Sequence, residues 1–436
     1  MIEPAFRTAD GIPVYLEASH ALPIVDVDVI VTRGSILDPK GRDGLARMTA
    51  RLMRRGPVGI DADAFDERLD RLGATLSVSV GSESMHVQGS VIRRNLAPFL
   101  DEVAGVLLRP GLRDEDFERL RRTIEAELVQ LRDNDGALAA RAFRHQLFGR
   151  HAYGRSVGGT LPTVSAITLD EVRACHAQLI RAPHLIVGLA GDITAADAEA
   201  LVGAAFVDAP RGVTRRPPIR EPKPKAGRRV VLVDKPKRTQ SQIYVGTLGM
   251  IMGEPDHHAM IVANTAFGGT FTARLMKEVR SERGWSYGAY SKLGADRQRE
   301  AWSMWTHPGA EQLVDCLALQ LSLYETWLDR GLTQDEVRRA KRYLIKSHAF
   351  DLETADKRLE PKLQSVALGL PDDWYASYTK RLRAVTRAAA NDAVRARLSR
   401  DDLTIAVLAT ATPELRAALR SLDGVCELRV IPYDEL

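Results

Sequence analysis

The sequence predicts an α+β protein of two homologous domains, each a mainly antiparallel sheet with helices packed on one face. Three observations favour this class. At 436 residues the chain is too long for one ordinary hydrophobic core, β-type alternation is mixed with long helical periods, and the same order of segments occurs twice. The alternation is seen in IVDVDVIVTRGS, ATLSVSVGSESMHVQGSV and REAWSMWT. Because helical periods flank these strands, helices are expected to cover each sheet.

Two pairs of segments repeat at nearly the same offset along the chain. A helix pattern with an acidic start begins at Leu112 and again at Leu332. A short apolar strand leading into a helix begins at Leu185 and again at Leu403. The shared order predicts a duplicated domain, with chance similarity between amphipathic helices as the alternative.

Proline and basic residues are concentrated between the two repeats, a composition that favours extended chain. We therefore predict an N-terminal domain at residues 1–210, a linker at 211–228 and a C-terminal domain at 229–436.

Composition argues against several functional classes. Lys and Arg number 61 against 57 Asp and Glu, and the two signs are interspersed, so no nucleic-acid partner is expected. The longest apolar runs are shorter than a membrane span and no signal peptide is visible in the chain as given, which predicts a soluble protein. Cys175, Cys316 and Cys426 lie far apart and are predicted to be core thiols.

The stretch GLARMTARLMRRG at residues 44–56 predicts an amphipathic helix with a basic face of Arg47, Arg51 and Arg54. Its buried positions are expected to be Leu45, Met48, Thr49 and Leu52. A solvated surface is the ordinary explanation of such a basic face.

The longer segment RGSILDPKGRDGLARMTARLMRRG resembles the site region of the pitrilysin/insulinase-type zinc metallopeptidases, the inverzincins. In that family a helix carries H-x-x-E-H, in which two His bind zinc and the Glu activates water. The matching positions here are Arg47, Ala50 and Arg51. A guanidinium has no lone pair for a metal and a methyl group is no base, so the resemblance implies a degenerate motif without zinc.

The family's third zinc ligand is a Glu on a later helix, and Glu127 matches it, at the separation from Arg51 that the resemblance implies. The apolar stripe beside it is Leu120, Ile124, Leu128 and Leu131. We expect Glu127 to form an ion pair with Arg47 or Arg51, with a solvated helix-edge Glu as the alternative.

The string HAYGRSVGGT from His151 resembles the family segment that follows the third-ligand helix, so His151 is predicted to be structural. His145, His257 and His258 form no recognisable ligand set with it. The adjacent pair at positions 257 and 258 is expected to be exposed.

FGGTFTARLMKEVRSERGWSYGAYS at residues 267–291 predicts a glycine-rich turn, a helix ending at Gly284 and a strand starting near Trp285. The helix would bury Leu275, Met276 and Val279. Arg280 would lie on its last turn and Tyr287 on the strand.

An Arg and a Tyr spaced by seven occupy this position in the same metallopeptidases, where the C-terminal domain or a partner subunit supplies them to the zinc site. The resemblance implies catalytic roles for Arg280 and Tyr287. The Tyr hydroxyl would donate to the oxyanion and the Arg would hold a substrate carbonyl. The alternative is that Arg280 caps its helix and Tyr287 merely packs.

The resemblance extends to about Leu422 and implies a non-catalytic subunit of a heterodimeric zinc metallopeptidase. This chain would be inactive alone and bind no cofactor, with zinc on a homologous HxxEH-bearing subunit whose site Arg280 and Tyr287 complete in trans. The subunits would close like halves of a clam shell on peptide substrates, which add as strands with broad specificity. The glycine-rich loop of the mitochondrial processing peptidase is not matched by GGT at 268–270.

Two other functions stay open: a structural core subunit without a proteolytic role, and a peptide-binding chain that forms a homodimer in isolation. Family resemblance favours the bacterial periplasm over the cytoplasm. The sequence does not identify the partner or the peptides.

Overall fold

The computed structural model describes residues 2–436, which divide into two compact units. Unit 1 comprises the described residues up to Val129 with Ser156–Pro218 and Ala349–Tyr375. Unit 2 comprises Gln130–Arg155, Ile219–His348 and Ala376–Leu436. Each unit therefore includes chain from both halves of the sequence.

The core of unit 1 lies on a mixed, mainly antiparallel sheet of six strands in the order β1-β2-β6-β3-β5-β4. Only the β2–β6 pair is parallel. The strands are β1 (Phe6–Arg7), β2 (Pro13–Ala18), β3 (Ile24–Val31), β4 (Thr75–Val80), β5 (Met85–Ile92) and β6 (Leu185–Gly191).

Unit 2 repeats this topology in the order β14-β7-β13-β8-β12-β10. Its β7–β13 pair is parallel, like β2–β6, and the next three pairs along the sheet are antiparallel as in unit 1. Its strands, with the small β9–β11 pair, are β7 (Arg228–Asp234), β8 (Gln242–Leu248), β9 (Met250–Ile251), β10 (Ala289–Leu293), β11 (Ala295–Asp296), β12 (Ala301–Thr306), β13 (Thr404–Ala409) and β14 (Val425–Pro432). The predicted fold class, two α+β domains of one kind, is confirmed.

Helices occupy most of the remaining chain. Those before residue 210 are α1 (Leu45–Met53), α2 (Ala62–Leu72), α3 (Leu96–Leu108), α4 (Asp114–Gln130), α5 (Asp135–Phe148), α6 (Leu161–Ser165), α7 (Leu169–Leu179) and α8 (Ala195–Ala205). Those after it are α9 (His257–Phe267), α10 (Arg274–Met276), α11 (Leu313–Arg330), α12 (Gln334–Ser347), α13 (Ala355–Leu368), α14 (Tyr378–Ala384), α15 (Arg387–Arg397) and α16 (Pro413–Arg420). The two acidic-start repeats are α4 and α12, and the latter begins with a capping box of Thr333 and Glu336.

Each sheet also carries one helix on the face opposite its main core, where the sequence predicted helices on one face only. In unit 1, Leu359 and Leu363 of α13 pack on Ile30 and Ile186. In unit 2, α5 contacts β8 and β13, and the ring of Phe143 stacks on a tyrosine of β8. The starts of α5 and α13 are separated in sequence by the same offset as the two acidic-start segments, so these helices are repeat counterparts.

A glycine makes room for the helix in each case. A side chain at Gly188 would lie 2.5 Å from Leu363, and one at Gly246 would lie 2.8 Å from Phe143. Such distances are well inside van der Waals contact, so a Cβ at either strand position would displace the end of that helix side chain, and at Gly246 it would also lie 2.2 Å from the Trp302 carbonyl. Packing against distant parts of the chain therefore favours glycine at both positions.

Residues 211–225 lack regular structure, and the division between the units passes between Pro218 and Ile219, inside the predicted linker. The units are defined by which residues lie close together in space, so α5 belongs to unit 2 and α13 to unit 1. The boundaries 1–210, 211–228 and 229–436 stay a prediction about the extent of the two repeats.

One expectation about burial is wrong in part, and a second is wrong. Cys316 is buried and Cys175 is half-buried, but Cys426 is exposed on edge strand β14, so it is not a core thiol. His257 and His258 are both 5% exposed, since the first turn of α9 packs into the unit 2 interior. Among residues 2–436, no helix combines the length and apolar composition needed to cross a membrane.

Candidate functional site

Helix α1 presents the predicted amphipathic pattern. Its apolar side is buried in the unit 1 core, including Leu45, Met48 and Leu52. The Asp38 carboxylate accepts hydrogen bonds of 3.0 Å from the amides of Gly44 and Ala46, which fixes the start of the helix. The basic positions consequently project away from the core.

The expected ion pair with Glu127 is present. Both terminal nitrogens of Arg51 donate to the two Glu127 oxygens at 2.7 Å, and a nitrogen of Arg47 lies 3.7 Å from the same carboxylate. The hydrogen bond from Arg51 is the main reason that the pKa of Glu127 is lowered. The basic face of α1 is thus tied to α4, with Glu127 40% and Arg51 25% exposed.

This arrangement does not fit zinc. Arg47 and Arg51 offer donors where a metal requires lone pairs, and both Glu127 oxygens already accept hydrogen bonds from Arg51. Ala50 is 1% exposed and supplies no base. In the described chain, no group of three His, Cys, Asp or Glu side chains has the arrangement of a metal site.

The second part of the HAYGRSVGGT string packs against α1. A side chain at Gly158 would lie 2.7 Å from an Arg47 nitrogen, and one at Gly159 would lie 2.4 Å from the carbonyl of Asp43. His151 accepts a hydrogen bond from the Tyr153 amide at 3.1 Å. These contacts agree with the structural interpretation of the string.

The segment at residues 267–291 differs from its prediction in two details. Helix α10 spans only three residues and continues as a π-helical turn, Lys277–Ser281, which carries Arg280. Gly284 ends it with φ +67°, as expected. Strand β10 begins at Ala289 rather than near Trp285, so Tyr287 precedes the strand. The predicted burial of the apolar positions is confirmed for Leu275, Met276 and Val279.

Arg280 contacts two exposed aromatic rings, and we call the three residues the Arg280 stack: Phe271, Arg280 and Tyr287. The guanidinium carbon is 4.3 Å from the centroid of each ring. Phe271 is 58% and Tyr287 77% exposed. The guanidinium therefore makes a cation–π contact with both rings, and its N–H groups form no hydrogen bond with the described residues. Among the described residues, none forms an ion pair with Arg280.

The backbone around Tyr287 is held by its neighbours. The Ser286 hydroxyl donates to the Gly288 carbonyl at 2.6 Å and accepts from the His307 amide at 2.9 Å. The Gly288 amide donates to the His307 ring at 3.2 Å. Sequence reasoning missed both Ser286 and Phe271. Phe271 was missed because it reaches Arg280 only across the turn that precedes α10.

The structure thus groups the predicted site residues in two places: Arg47, Arg51 and Glu127 in unit 1, and Arg280 with Tyr287 in unit 2.

Residues 13–160 match the family model for insulinase (peptidase family M16), and residues 166–344 match that for the peptidase M16 inactive domain.

Two curated relatives are similar over most of their length. The non-peptidase homolog YmxG of Helicobacter pylori is 23% identical over 398 residues, covering 91% of each chain. An uncharacterized zinc protease of Streptomyces coelicolor is 28% identical over 327 residues, 73% of this chain and 71% of that one.

The solved structure of a peptidase M16 inactive domain from Pseudomonas fluorescens superposes on this chain with a TM-score of 0.87 at 24% sequence identity. The match covers 93% of this chain and 97% of that one, so the two proteins share a fold. The two models of one family together match about three quarters of the residues. The chain belongs to the insulinase-type peptidase family M16.

Proposed function

We propose that this protein is the non-catalytic subunit of a heterodimeric zinc metallopeptidase and completes the site of an HxxEH-bearing partner subunit through Arg280 and Tyr287. One observation carries the proposal. The Arg280 stack presents a guanidinium and a phenol on the surface, both without a polar partner in the described chain, while the zinc-motif positions are closed by the Arg51–Glu127 pair. The homologue named as a non-peptidase supports the lack of activity of this chain alone.

The chemistry follows from the groups presented. Bound zinc on the partner would supply the activated water for peptide hydrolysis. The Tyr287 hydroxyl would donate a hydrogen bond to the oxyanion that develops on the attacked carbonyl. Arg280, oriented by the two rings, would donate to a neighbouring main-chain carbonyl of the peptide and position it.

The test is to purify the tagged chain from its host, identify bound chains, and measure cleavage of a quenched fluorescent peptide. We expect an HxxEH-bearing chain to copurify with zinc. Tyr287→Phe should leave assembly intact and lower kcat by about 100-fold, the effect of removing one oxyanion donor.

Tyr290→Phe is the matched control, because Tyr290 is also exposed but stacks on Trp305 instead of Arg280. Its kcat should stay near that of the unaltered complex. If Tyr287→Phe leaves cleavage unchanged in the assembled complex, the active-site role is wrong, and a core-subunit or peptide-binding role becomes the better explanation.

A further inference from the structure

A cleft of about 550 Å³ opens in unit 2 between the ends of several helices. Its wall includes the C-terminal end of α11, the N-terminal half of α12 and the first residue of α15, and Lys277 borders it from the π-helical turn. The volume is in the range of sites for small ligands.

Positive charge dominates the lining. Its two carboxylates are both paired: Glu336 accepts two hydrogen bonds from Arg274, at 2.9 and 2.8 Å, and Glu278 pairs with Arg283 at 2.9 Å. The remaining cations of the lining are Lys277, Arg330, Arg339 and Arg387. Lys277 has a single contact at 4.0 Å, with Glu282.

Arg330, Arg339 and Arg387 form no ion pair among the described residues, although each is charged at all ordinary pH. Arg387 is also the first residue of α15, where the helix dipole disfavours a cation. Three unpaired guanidiniums at one concavity repel one another unless an anion joins them.

Neutral donors complete the lining. Thr265, Thr272 and Thr326 are among the residues that line the cleft, and so is the half-exposed Tyr343. Arg274 is fixed in the wall by Glu336 and by the Gly331 carbonyl at 3.0 Å, and its Nη1 has no hydrogen-bond partner. Guanidiniums and hydroxyls around a small volume are the donor set that phosphate oxygens accept from.

We propose that this cleft is a binding site for a phosphate-bearing small molecule, separate from the Arg280 stack. Arg339 and Arg387 would contact the phosphate oxygens directly, and Arg330 and Lys277 would add to the attractive potential. A ligand with two phosphate groups would match the excess of cations.

Titration calorimetry of the full chain with inorganic pyrophosphate, in phosphate-free buffer, tests the proposal. We expect saturable binding at about one site per chain, and about tenfold weaker binding for Arg339→Gln and for Arg387→Gln, each of which removes a charge-assisted contact. Both side chains are exposed, so both variants should fold as the parent does.

Arg338→Gln is the matched control. Arg338 precedes Arg339 on α12 but lies outside the cleft, where it pairs with Asp335 at 2.8 Å. It makes the same charge change, and binding should not alter. Equal weakening by Arg338→Gln would overturn the proposal, because diffuse surface charge would then explain the binding. Absence of saturable binding, or citrate binding as tightly as pyrophosphate, would overturn it too.

Discussion

The Arg51–Glu127 pair in unit 1 and the Arg280 stack in unit 2 both hold a guanidinium, but they leave different groups available. In the pair, the planar fork of Arg51 is used by the carboxylate, so its donors are satisfied within the chain. In the stack, Arg280 contacts two aromatic rings and its N–H donors form no hydrogen bond with the described residues. A guanidinium whose donors are used by a carboxylate is structural, whereas one held by aromatic contacts keeps its donors for another molecule.

The two regions also differ in burial. Helix α1 and Glu127 lie against the unit 1 core through the apolar sides of α1 and α4. Phe271 and Tyr287 leave most of their large rings exposed, and exposed aromatic surface commonly marks an interaction site. Satisfied donors in one region and free donors beside exposed rings in the other are the pattern that the proposed role, a subunit contributing to a site in another chain, leads us to expect.

Restoring zinc ligands to unit 1 should give the largest effect. With Arg47→His and Arg51→His, two imidazoles one turn apart on α1 would face a Glu127 freed from its ion pair, a ligand set suited to zinc. We expect metal analysis to find about one zinc per chain in the variant and none in the parent. Peptide cleavage should not return, because position 50 still lacks a base.

The control for this variant is the same double change with Glu127→Ala, which removes the third ligand and should weaken zinc affinity by at least about tenfold. If the double variant binds no zinc at neutral pH, α1 and α4 are not spaced as in a metal site. The degenerate motif would then involve the positions of the two helices as well as their side chains.

The next effect concerns Phe271, which sequence reasoning did not find. Phe271→Leu removes one of the two rings of the stack and about 1 kcal/mol of cation–π attraction, so Arg280 should be less well oriented. In the assembled peptidase we expect kcat to fall about fivefold, with a smaller change in KM. Steady-state kinetics on the quenched peptide measure both.

Phe350→Leu is a matched control, since Phe350 is similarly exposed but contributes no ring to the stack. Equal losses in the two variants would show that exposed apolar area at large, rather than support of Arg280, sets the rate. A change in KM alone for Phe271→Leu would assign Phe271 to peptide binding.

Local features of both regions could be predicted from the sequence. The period of α1 and the left-handed conformation of Gly284 after the helical turn follow from residue type, whereas the pairing of Glu127 was predicted through the family resemblance. The repeat of segments at a nearly constant offset likewise appears in the matched topology of the two sheets.

Features that depend on distant packing could not be predicted. The periodicity of α5 and α13 shows that each has an apolar side, but not which sheet each covers, and Gly188 and Gly246 become informative only beside those helices. For the same reason His257 and His258 were expected to be exposed, whereas the interior of unit 2 buries them and lowers the pKa of each to about 4.

The smallest effect is on stability, and it tests the structural side of the comparison. Glu127→Gln should lower the free energy of unfolding by about 1 kcal/mol at pH 7, a modest value because the pair is partly exposed. The folded-state pKa of Glu127 is lowered below its ordinary 4.5, so the carboxylate stabilises the fold above that pH, and the contribution is lost as pH falls through the folded pKa. Urea unfolding measured from pH 7 into acid should show the difference between parent and variant shrinking as pH falls below 4.5.

Arg71→Gln provides the comparison for this measurement, because the Arg71–Glu67 pair on α2 is far more exposed. It should cost less than about 0.5 kcal/mol at any pH. If the two variants lower the stability equally little, the Arg51–Glu127 pair is no more structural than any surface pair. A larger cost at Glu127 that disappears in acid would show that the ion pair has taken over the connection between α1 and α4.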